Sequence, residues 1–199
     1  MSAQTLTFEI GTEEIPAFDL KSATEKLPQI LEQALDGRNV GYGEISVYST
    51  PRRMAVVIEG VSEQTEAVDE VFKGPSVKIA FDEEGNATKA ASGFARGKGV
   101  DVSELEVREE GGVEYVFASR HIPAQEVTAF LPEVLLGVLE SIPWPKSMRW
   151  ASYSELFSRP VRWIVALFGT EVIPLTFAGA VSGRHTEGHR VLSPEGTDI

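Results

Sequence analysis

Two histidines four residues apart form the most metal-site-like pattern in this sequence. His185 and His189 flank Glu187, and on a helix this spacing would place both imidazoles on one face, where they could hold a zinc ion. However, the acid does not directly follow the first histidine, and Gly188 would interrupt a helix, so the same pattern is typical of surface or turn histidines. The sequence has no cysteine, which excludes disulfides, thiol nucleophiles and Cys-ligated metals. We assign no metal ligand.

Adjacent acids and a glycine-rich segment are two further patterns with a chemical interpretation. Glu13 and Glu14 follow the first predicted strand. Such a pair could ligate magnesium or act as acid and base, or it could lie in the first turn of a helix, where the dipole favours acids. Residues 93–99 (GFARGKG) lack the ending of a P-loop and follow a predicted helix, which indicates helix termination, with a phosphate contact by Arg96 or Lys98 as the alternative. We assign no catalytic residue.

Basic residues beside aromatic ones are the remaining candidates. Residues 50–53 place two guanidinium groups on a tight connection, and residues 145–163 contain four cations, interleaved with Trp and Phe, against Glu155 alone. Arginine can bind a phosphate through two nitrogens or stack on an unpaired base. Equally, these side chains could neutralise the acids of the chain. The RNA-binding candidates are Arg52, Arg53, Lys146, Arg149, Arg159 and Arg162.

The composition is that of a globular, acidic protein. The chain has 199 residues, 42% of them hydrophobic, and 18 Lys and Arg against 30 Asp and Glu, a formal net charge of −12. An acidic body with one local basic stretch disfavours DNA and other non-specific polyanion binding, and it permits contact with a few phosphates. The start of the chain lacks signal-peptide features, and the longest apolar run, residues 163–168, is far shorter than a membrane span. We predict a soluble, cytoplasmic protein with no membrane partner.

Hydrophobic periodicity predicts a strand, a helix and a hairpin in the first sixty residues. Residues 5–10 alternate in polarity, as in a half-buried strand. Residues 20–35 carry the 3.6-residue stripe of a long helix that Gly37 would end. Residues 45–48 and 54–58 predict the two strands of a hairpin.

Pro28 lies within the first predicted helix. Because proline cannot donate the helical hydrogen bond, we expect a kink there or a helix start near Thr24. Ser22 and Glu25 have the spacing of a capping box.

A change of composition follows the hairpin. Residues 61–70 are polar and acidic, which indicates a connection into a different unit. Beyond it, strand pieces are predicted at residues 71–73 and 77–81, a short helix at residues 88–96, and a second hairpin from residues 105–108 and 113–118.

The clearest helix pattern covers residues 124–142, although Pro132 lies inside it. Strand-like residues follow up to residue 177. We therefore predict an α+β fold in which a mixed or antiparallel sheet packs with two long helices. The main domain comprises residues 1–60 and 122–199, and residues 61–121 form a small inserted α+β unit. Because the last residues form a turn with no concluding element, we expect the chain to be part of a longer protein.

Seven segments of this sequence together resemble the N-terminal part of the bacterial glycyl-tRNA synthetase β subunit. Each segment is short, but they occur in order across nearly the whole chain, which makes the resemblance specific. The segments are residues 9–16, 50–56, 73–75, 89–97, 145–150, 157–163 and 188–190.

The resemblance implies a subunit of an α2β2 enzyme. In that family the α subunit makes glycyl-adenylate from glycine and ATP, and the β subunit is required for recognition of tRNA(Gly). No catalytic residue of the family maps onto this chain, so no cofactor is expected in it, and a role in tRNA recognition or subunit assembly is implied. The alternatives are a pure interaction module without RNA contact and a metal-dependent hydrolase using Glu13, Glu14, His185 or His189.

Overall fold

The computed structural model describes residues 2–82, 84–189, 191–193 and 195–199. The chain divides into two compact units: unit 1 comprises Met1–Glu66 and Gln125–Ile199, and unit 2 is Ala67–Ala124. Both units contain helices and strands, and the sheets are mixed or antiparallel. The predicted α+β class is confirmed.

Fourteen strands and four α-helices make up the described structure. The helices are α1 (Ala17–Asp36), α2 (Val77–Ala80), α3 (Lys89–Lys98) and α4 (Leu131–Ser141). No helix among the described residues combines the length and apolarity needed to cross a membrane. The strands are β1 (Ala3–Thr12), β2 (Ile45–Thr50), β3 (Arg53–Ser62), β4 (Val68–Ser76), β5 (Glu106–Glu110), β6 (Val113–Ile122), β7 (Met148–Arg149), β8 (Leu156–Phe157), β9 (Val161–Phe168), β10 (Glu171–Val172), β11 (Thr176–Phe177), β12 (Ala180–Gly183), β13 (His185–Thr186) and β14 (Thr197–Asp198).

Strand β1 lies at the centre of the main sheet of unit 1. The strand order is β11-β12-β9-β1-β3-β2, and β10 also pairs with β9. β1 runs antiparallel to both β3 and β9, whereas β12 runs parallel to β9, so the sheet is mixed. The first predicted hairpin is confirmed, because β2 and β3 pair antiparallel with Thr50 opposite Arg53.

The two faces of this sheet bury different groups. Phe8 and Ile10 of β1 are fully buried in the main core, together with the apolar stripes of α1 and α4. Because successive strand residues point to opposite faces, Glu9 and Gly11 lie on the other face. That face carries a separate small apolar cluster formed by Trp163, Val165 and Leu167, and it is where the candidate site is built.

Helix α1 continues through Pro28 and begins earlier than predicted. The predicted start near Thr24 is therefore wrong, and so is the predicted capping box of Ser22 and Glu25, which lie inside the helix. Burial of the apolar stripe of α1 stabilises the helix enough to offset the cost of the helical hydrogen bond that Pro28 cannot donate. Gly37 caps the C-terminus of the helix, as predicted.

Helix α4 is shorter than the second long helix predicted over residues 124–142. Val127–Ala129 form a 3-10 turn, and α4 itself has eleven residues. Pro132 lies in the first turn of α4 rather than in its interior, and there the missing N–H costs no helical hydrogen bond. The apolar stripe that motivated the prediction is nevertheless buried in the main core.

Unit 2 contains a three-stranded antiparallel sheet in the order β4-β6-β5, with α2 and α3 packed against it. The second predicted hairpin is confirmed, since β5 and β6 pair around Gly111 and Gly112, which both have positive φ. Helix α3 begins after the N-cap Thr88 and ends at Gly99 in the left-handed conformation. Helix termination is thus the correct interpretation of Gly99, whereas Gly93 and Gly97, predicted to follow the helix, lie inside it.

The strand predicted at residues 77–81 is wrong. Val77–Ala80 form a single helical turn, α2. The turn directs Val77, Ala80 and Phe81 into the small core of unit 2, so burial determines the local structure of an apolar run that is too short to have a distinctive period.

Candidate functional site

Three residues in register form a row across the second face of the main sheet. Gly11 of β1 lies between Arg53 of β3 and Trp163 of β9. The Cζ atoms of Arg53 and Arg52 lie 5.5 and 5.9 Å from the Trp163 ring centre, within the range of a cation–π contact. A Cβ atom on Gly11 would overlap the indole ring. Trp163 can therefore lie over β1 only because position 11 has no side chain.

Glu9 anchors this row through its buried carboxylate. The residue is 4% exposed, and its Oε1 accepts hydrogen bonds from Trp163 Nε1 and from the Thr186 hydroxyl, each at 2.5 Å. Arg53 Nε lies 3.5 Å from the same oxygen. A buried carboxylate is tolerated when it is paired and hydrogen-bonded, and these three partners satisfy that requirement. Glu9 thereby fixes the indole of Trp163 and the guanidinium of Arg53.

A pocket of about 420 Å³ opens beside this row. Four of the seven segments that carry the family resemblance supply its lining, although they are far apart in the sequence. These four segments therefore meet at one feature of the fold. Its lining residues are Glu14, Thr50, Pro51, Arg52, Arg53, Trp163, Gly188 and His189.

The two arginines of the pocket differ in how fully their donors are used. Arg53 Nη2 donates to the carbonyl oxygen of Glu187, and its Nε faces Glu9. Arg52 Nη2 lies 3.8 Å from Glu187 Oε2, which is too long for a hydrogen bond. Arg52 Nε is buried and has no hydrogen-bond partner within the described part of the chain. Arg53 is thus a structural member of the site, whereas Arg52 retains hydrogen-bonding capacity.

Arg159 and Arg162 hold the loop that follows β1. Arg159 Nε donates to the carbonyl oxygen of Glu14 at 3.0 Å, and Arg162 Nε lies 3.5 Å from Glu13 Oε1. Both acids precede α1, whose first-turn acid is Asp19. The interpretation of Glu13 and Glu14 as first-turn acids is therefore wrong, and their loop instead forms one wall of the pocket through Glu14.

The other basic candidates lie outside the pocket lining. Arg149 belongs to β7, which pairs with β8, and its Nε donates to the Ser154 carbonyl oxygen at 3.1 Å. Lys146 is exposed. Of the six candidates, Arg52 and Arg53 are the two that line the pocket, and RNA binding by any of the six stays a prediction.

The two histidines do not adopt the helical arrangement of a zinc site. His185 lies in β13, and its Nδ1 pairs with Asp198 Oδ1 at 2.9 Å. His189 Nδ1 accepts the backbone N–H groups of Val191 and Leu192 at 3.2 Å each, so the neutral ring carries its proton on Nε2. Over the described residues, no three His, Asp or Glu side chains are placed to hold a metal ion.

Residue type and spacing alone do not identify Glu9 and Gly11 as site residues, and they mark Trp163 only as an aromatic neighbour of cations. Alternation over residues 5–10 suggested that Glu9 faces solvent, whereas residues 8–12 are all buried. The continuous apolar run of residues 163–168 carried the missing signal, because such a run is typical of a strand covered on both faces. An acid on a strand paired with it must then be buried and partnered.

Comparison with known proteins identifies the family. The family model described as glycyl-tRNA synthetase beta subunit matches residues 6–199. The chain is 44% identical over 192 residues to the glycine–tRNA ligase beta subunit of Halalkalibacterium halodurans, 44% over 195 residues to that of Bacillus subtilis, and 48% over 194 residues to that of Desulfitobacterium hafniense. These alignments cover 96%, 98% and 96% of this chain, but 28%, 29% and 28% of the respective relatives. As the seven segments predicted, the chain belongs to the glycyl-tRNA synthetase beta subunit family.

Proposed function

We propose that this chain is the N-terminal region of the β subunit of a cytoplasmic glycine–tRNA ligase, which attaches glycine to tRNA(Gly) using ATP. The observation that carries the proposal is the family match over residues 6–199. In this proposal ATP and glycine bind to the α subunit of an α2β2 enzyme, and no cofactor belongs to this region. Its own contribution is to tRNA recognition, to subunit assembly or to both.

The 199-residue chain alone is expected not to activate glycine. Adenylate formation belongs to the α subunit in this proposal, so purified chain should show no glycine-dependent exchange of pyrophosphate into ATP. The assembled α2β2 enzyme is the positive control. Exchange by the isolated chain above the rate of a blank preparation would refute the assignment of the chemistry to α.

The basic residues of the second half are expected to contribute to tRNA binding in the assembled enzyme. Each lost phosphate contact lowers the slope of log K against log salt by a little under one unit. Simultaneous replacement of Arg149, Arg159 and Arg162 by alanine in full-length β, assembled with α, should therefore weaken tRNA(Gly) binding and make the slope about two to three units shallower. Filter binding or fluorescence anisotropy over a range of KCl concentrations measures both quantities.

A matched control removes the same charge elsewhere. Lys78, Lys89 and Arg120 are exposed residues of unit 2, and their triple alanine variant should keep the wild-type slope. Unchanged affinity and slope in a folded, assembled R149A/R159A/R162A variant would show that these arginines act only through internal contacts. Such contacts already engage Arg159 and Arg162 with the loop after β1.

A pure interaction module is the second candidate, and exposed apolar side chains favour it. Phe18 of α1 and Tyr48 of β2 are 77% and 62% exposed. The same two elements contribute Ala17, Leu20 and Ser49 to a second pocket of about 530 Å³. Pull-down with α, with the remainder of β and with tRNA(Gly) as separate baits distinguishes the two candidates. The interaction module should capture a protein bait and ignore tRNA at physiological salt.

A further inference from the structure

The pocket beside Trp163 has the chemistry of a site for one unpaired nucleotide. We infer that it binds a single nucleoside monophosphate unit, with the phosphate at Arg52 and His189 and the base in the part of the pocket formed by Pro51, Trp163 and Glu14. The inference deepens the proposed function, because it rests on that function for the source of the nucleotide, an unpaired residue of RNA.

Two hydrogen-bond donors in the lining suit a phosphate. Arg52 Nη2 faces the Glu187 carboxylate at 3.8 Å, beyond hydrogen-bond distance, and its Nε is buried without a hydrogen-bond partner among the described residues, so a phosphate that replaces Glu187 would give this guanidinium the hydrogen bonds that it lacks. His189 keeps its proton on Nε2, because its Nδ1 accepts two backbone N–H groups. Hydrogen bonds from a guanidinium to phosphate are among the stronger ones in proteins. Arg52 and His189 therefore provide one charged and one neutral donor within the same pocket lining.

The remaining lining is flat and rigid, which suits a base. The ring of Pro51 offers a carbon surface. The indole of Trp163 is only 8% exposed, so the guanidinium planes of Arg52 and Arg53, which lie close to that indole, provide most of the remaining stacking surface. Unpaired bases stack on aromatic rings and on guanidinium planes. Glu9 holds Trp163 and Arg53 in place, so this surface exists before a ligand arrives and little ordering cost attends binding.

Glu14 sets the orientation of the ligand. It is the acid among the described lining residues, and a carboxylate repels phosphate but accepts a hydrogen bond from an exocyclic amino group. The phosphate must then lie away from Glu14, and a base with an amino group, such as adenine, is preferred over one without. The volume of about 420 Å³ is within the range of small-molecule sites, about 300–1,000 Å³.

Titration of AMP into full-length β without α tests the inference. Calorimetry should show AMP binding that is at least about tenfold weaker in Arg52→Ala, since a hydrogen bond to a charged group contributes about 1.5–3 kcal/mol and 1.4 kcal/mol corresponds to tenfold. Arg52→Lys, which keeps the charge but loses the planar fork, should bind with intermediate affinity. Inosine 5′-monophosphate, which lacks the amino group, and ribose 5-phosphate, which lacks the base, should both bind more weakly than AMP.

Arg108→Ala is the matched control. Arg108 also lies over an aromatic ring, that of Phe117 at 5.3 Å, and also pairs with a carboxylate, but it belongs to unit 2. This variant should bind AMP as the wild type does. Absence of AMP binding by folded β would overturn the inference, and so would equal binding by wild type and Arg52→Ala, which would place the bound AMP elsewhere in β.

Competition with tRNA identifies the source of the nucleotide. If tRNA(Gly) displaces AMP from wild-type β, the pocket accepts a nucleotide of RNA, whereas AMP that stays bound in the presence of saturating tRNA assigns the pocket to a free nucleotide. Failure of the proposed function remains distinguishable from failure of this inference. An α2β2 enzyme whose β subunit binds AMP through Arg52 but does not bind tRNA would refute the proposed function and support the nucleotide site.

Discussion

Replacement of Gly11 by alanine is expected to lower the free energy of unfolding of unit 1 by about 3 kcal/mol or more. The new Cβ would lie closer than 3.0 Å to three atoms of the Trp163 ring, and such overpacking typically costs about 1–3 kcal/mol. Movement of the indole would also break the hydrogen bond from Trp163 to Glu9, leaving a buried carboxylate short of a partner, at about 1–3 kcal/mol more. Urea denaturation monitored by tryptophan fluorescence measures the change, since Trp144, Trp150 and Trp163 all lie in unit 1.

The same substitution at Gly137 is the control. Gly137 lies in α4, and no atom approaches the position of an added Cβ within 4 Å. Because alanine is the better helix former, Gly137→Ala should leave stability unchanged or raise it by up to about 1 kcal/mol. Trp163→Leu should partly relieve the effect of Gly11→Ala, so that the double variant loses less than the sum of the single variants. Strict additivity, or a Gly11→Ala protein as stable as wild type, would contradict the contact between Gly11 and the indole.

Much of the fold is predictable from the sequence, because strands and helices that bury one face have a regular spacing of hydrophobic residues. The alternation in β1, the stripe of α1 and the two hairpins are patterns of six or more residues, and each corresponds to an observed element. The errors lie where local rules are overridden. Pro28 is tolerated because the stripe of α1 is buried. Val77–Ala80 form a helical turn because their burial in the small core of unit 2 requires it.

The candidate site is less predictable, because register rather than periodicity creates it. Arg52 and Arg53 can be selected from residue type alone. That Gly11 lies between Arg53 and Trp163 depends on the pairing of β1 with β3 and β9, and a shift of one residue would move Glu9 to the opposite face. Because β1 pairs with strands that are distant in sequence, the burial of Glu9 can be inferred only once the strand pairing of the sheet is known.

Replacement of Glu9 by alanine is expected to be the other severe change in this region. Trp163 Nε1 and the Thr186 hydroxyl would lose their acceptor, and Arg53 would lose the carboxylate that faces it. Removal of one member from such a buried, charged cluster costs about 3–5 kcal/mol. The same fluorescence-detected urea denaturation measures the loss.

Glu9→Gln separates the hydrogen bonds from the charge. Its amide oxygen can still accept from Trp163 and Thr186, so this variant should lose about 1–2 kcal/mol, attributable to the weaker partner it offers Arg53. Glu59→Ala provides the control, because Glu59 is an exposed acid of β3 whose truncation should change stability by no more than about 0.5 kcal/mol. If Glu9→Ala were no more destabilised than Glu59→Ala, Glu9 would not be the buried anchor of the site. If Glu9→Gln were as unstable as Glu9→Ala, the ionic contact with Arg53 would outweigh both hydrogen bonds, and Arg53 rather than Trp163 would be the group that Glu9 holds in place.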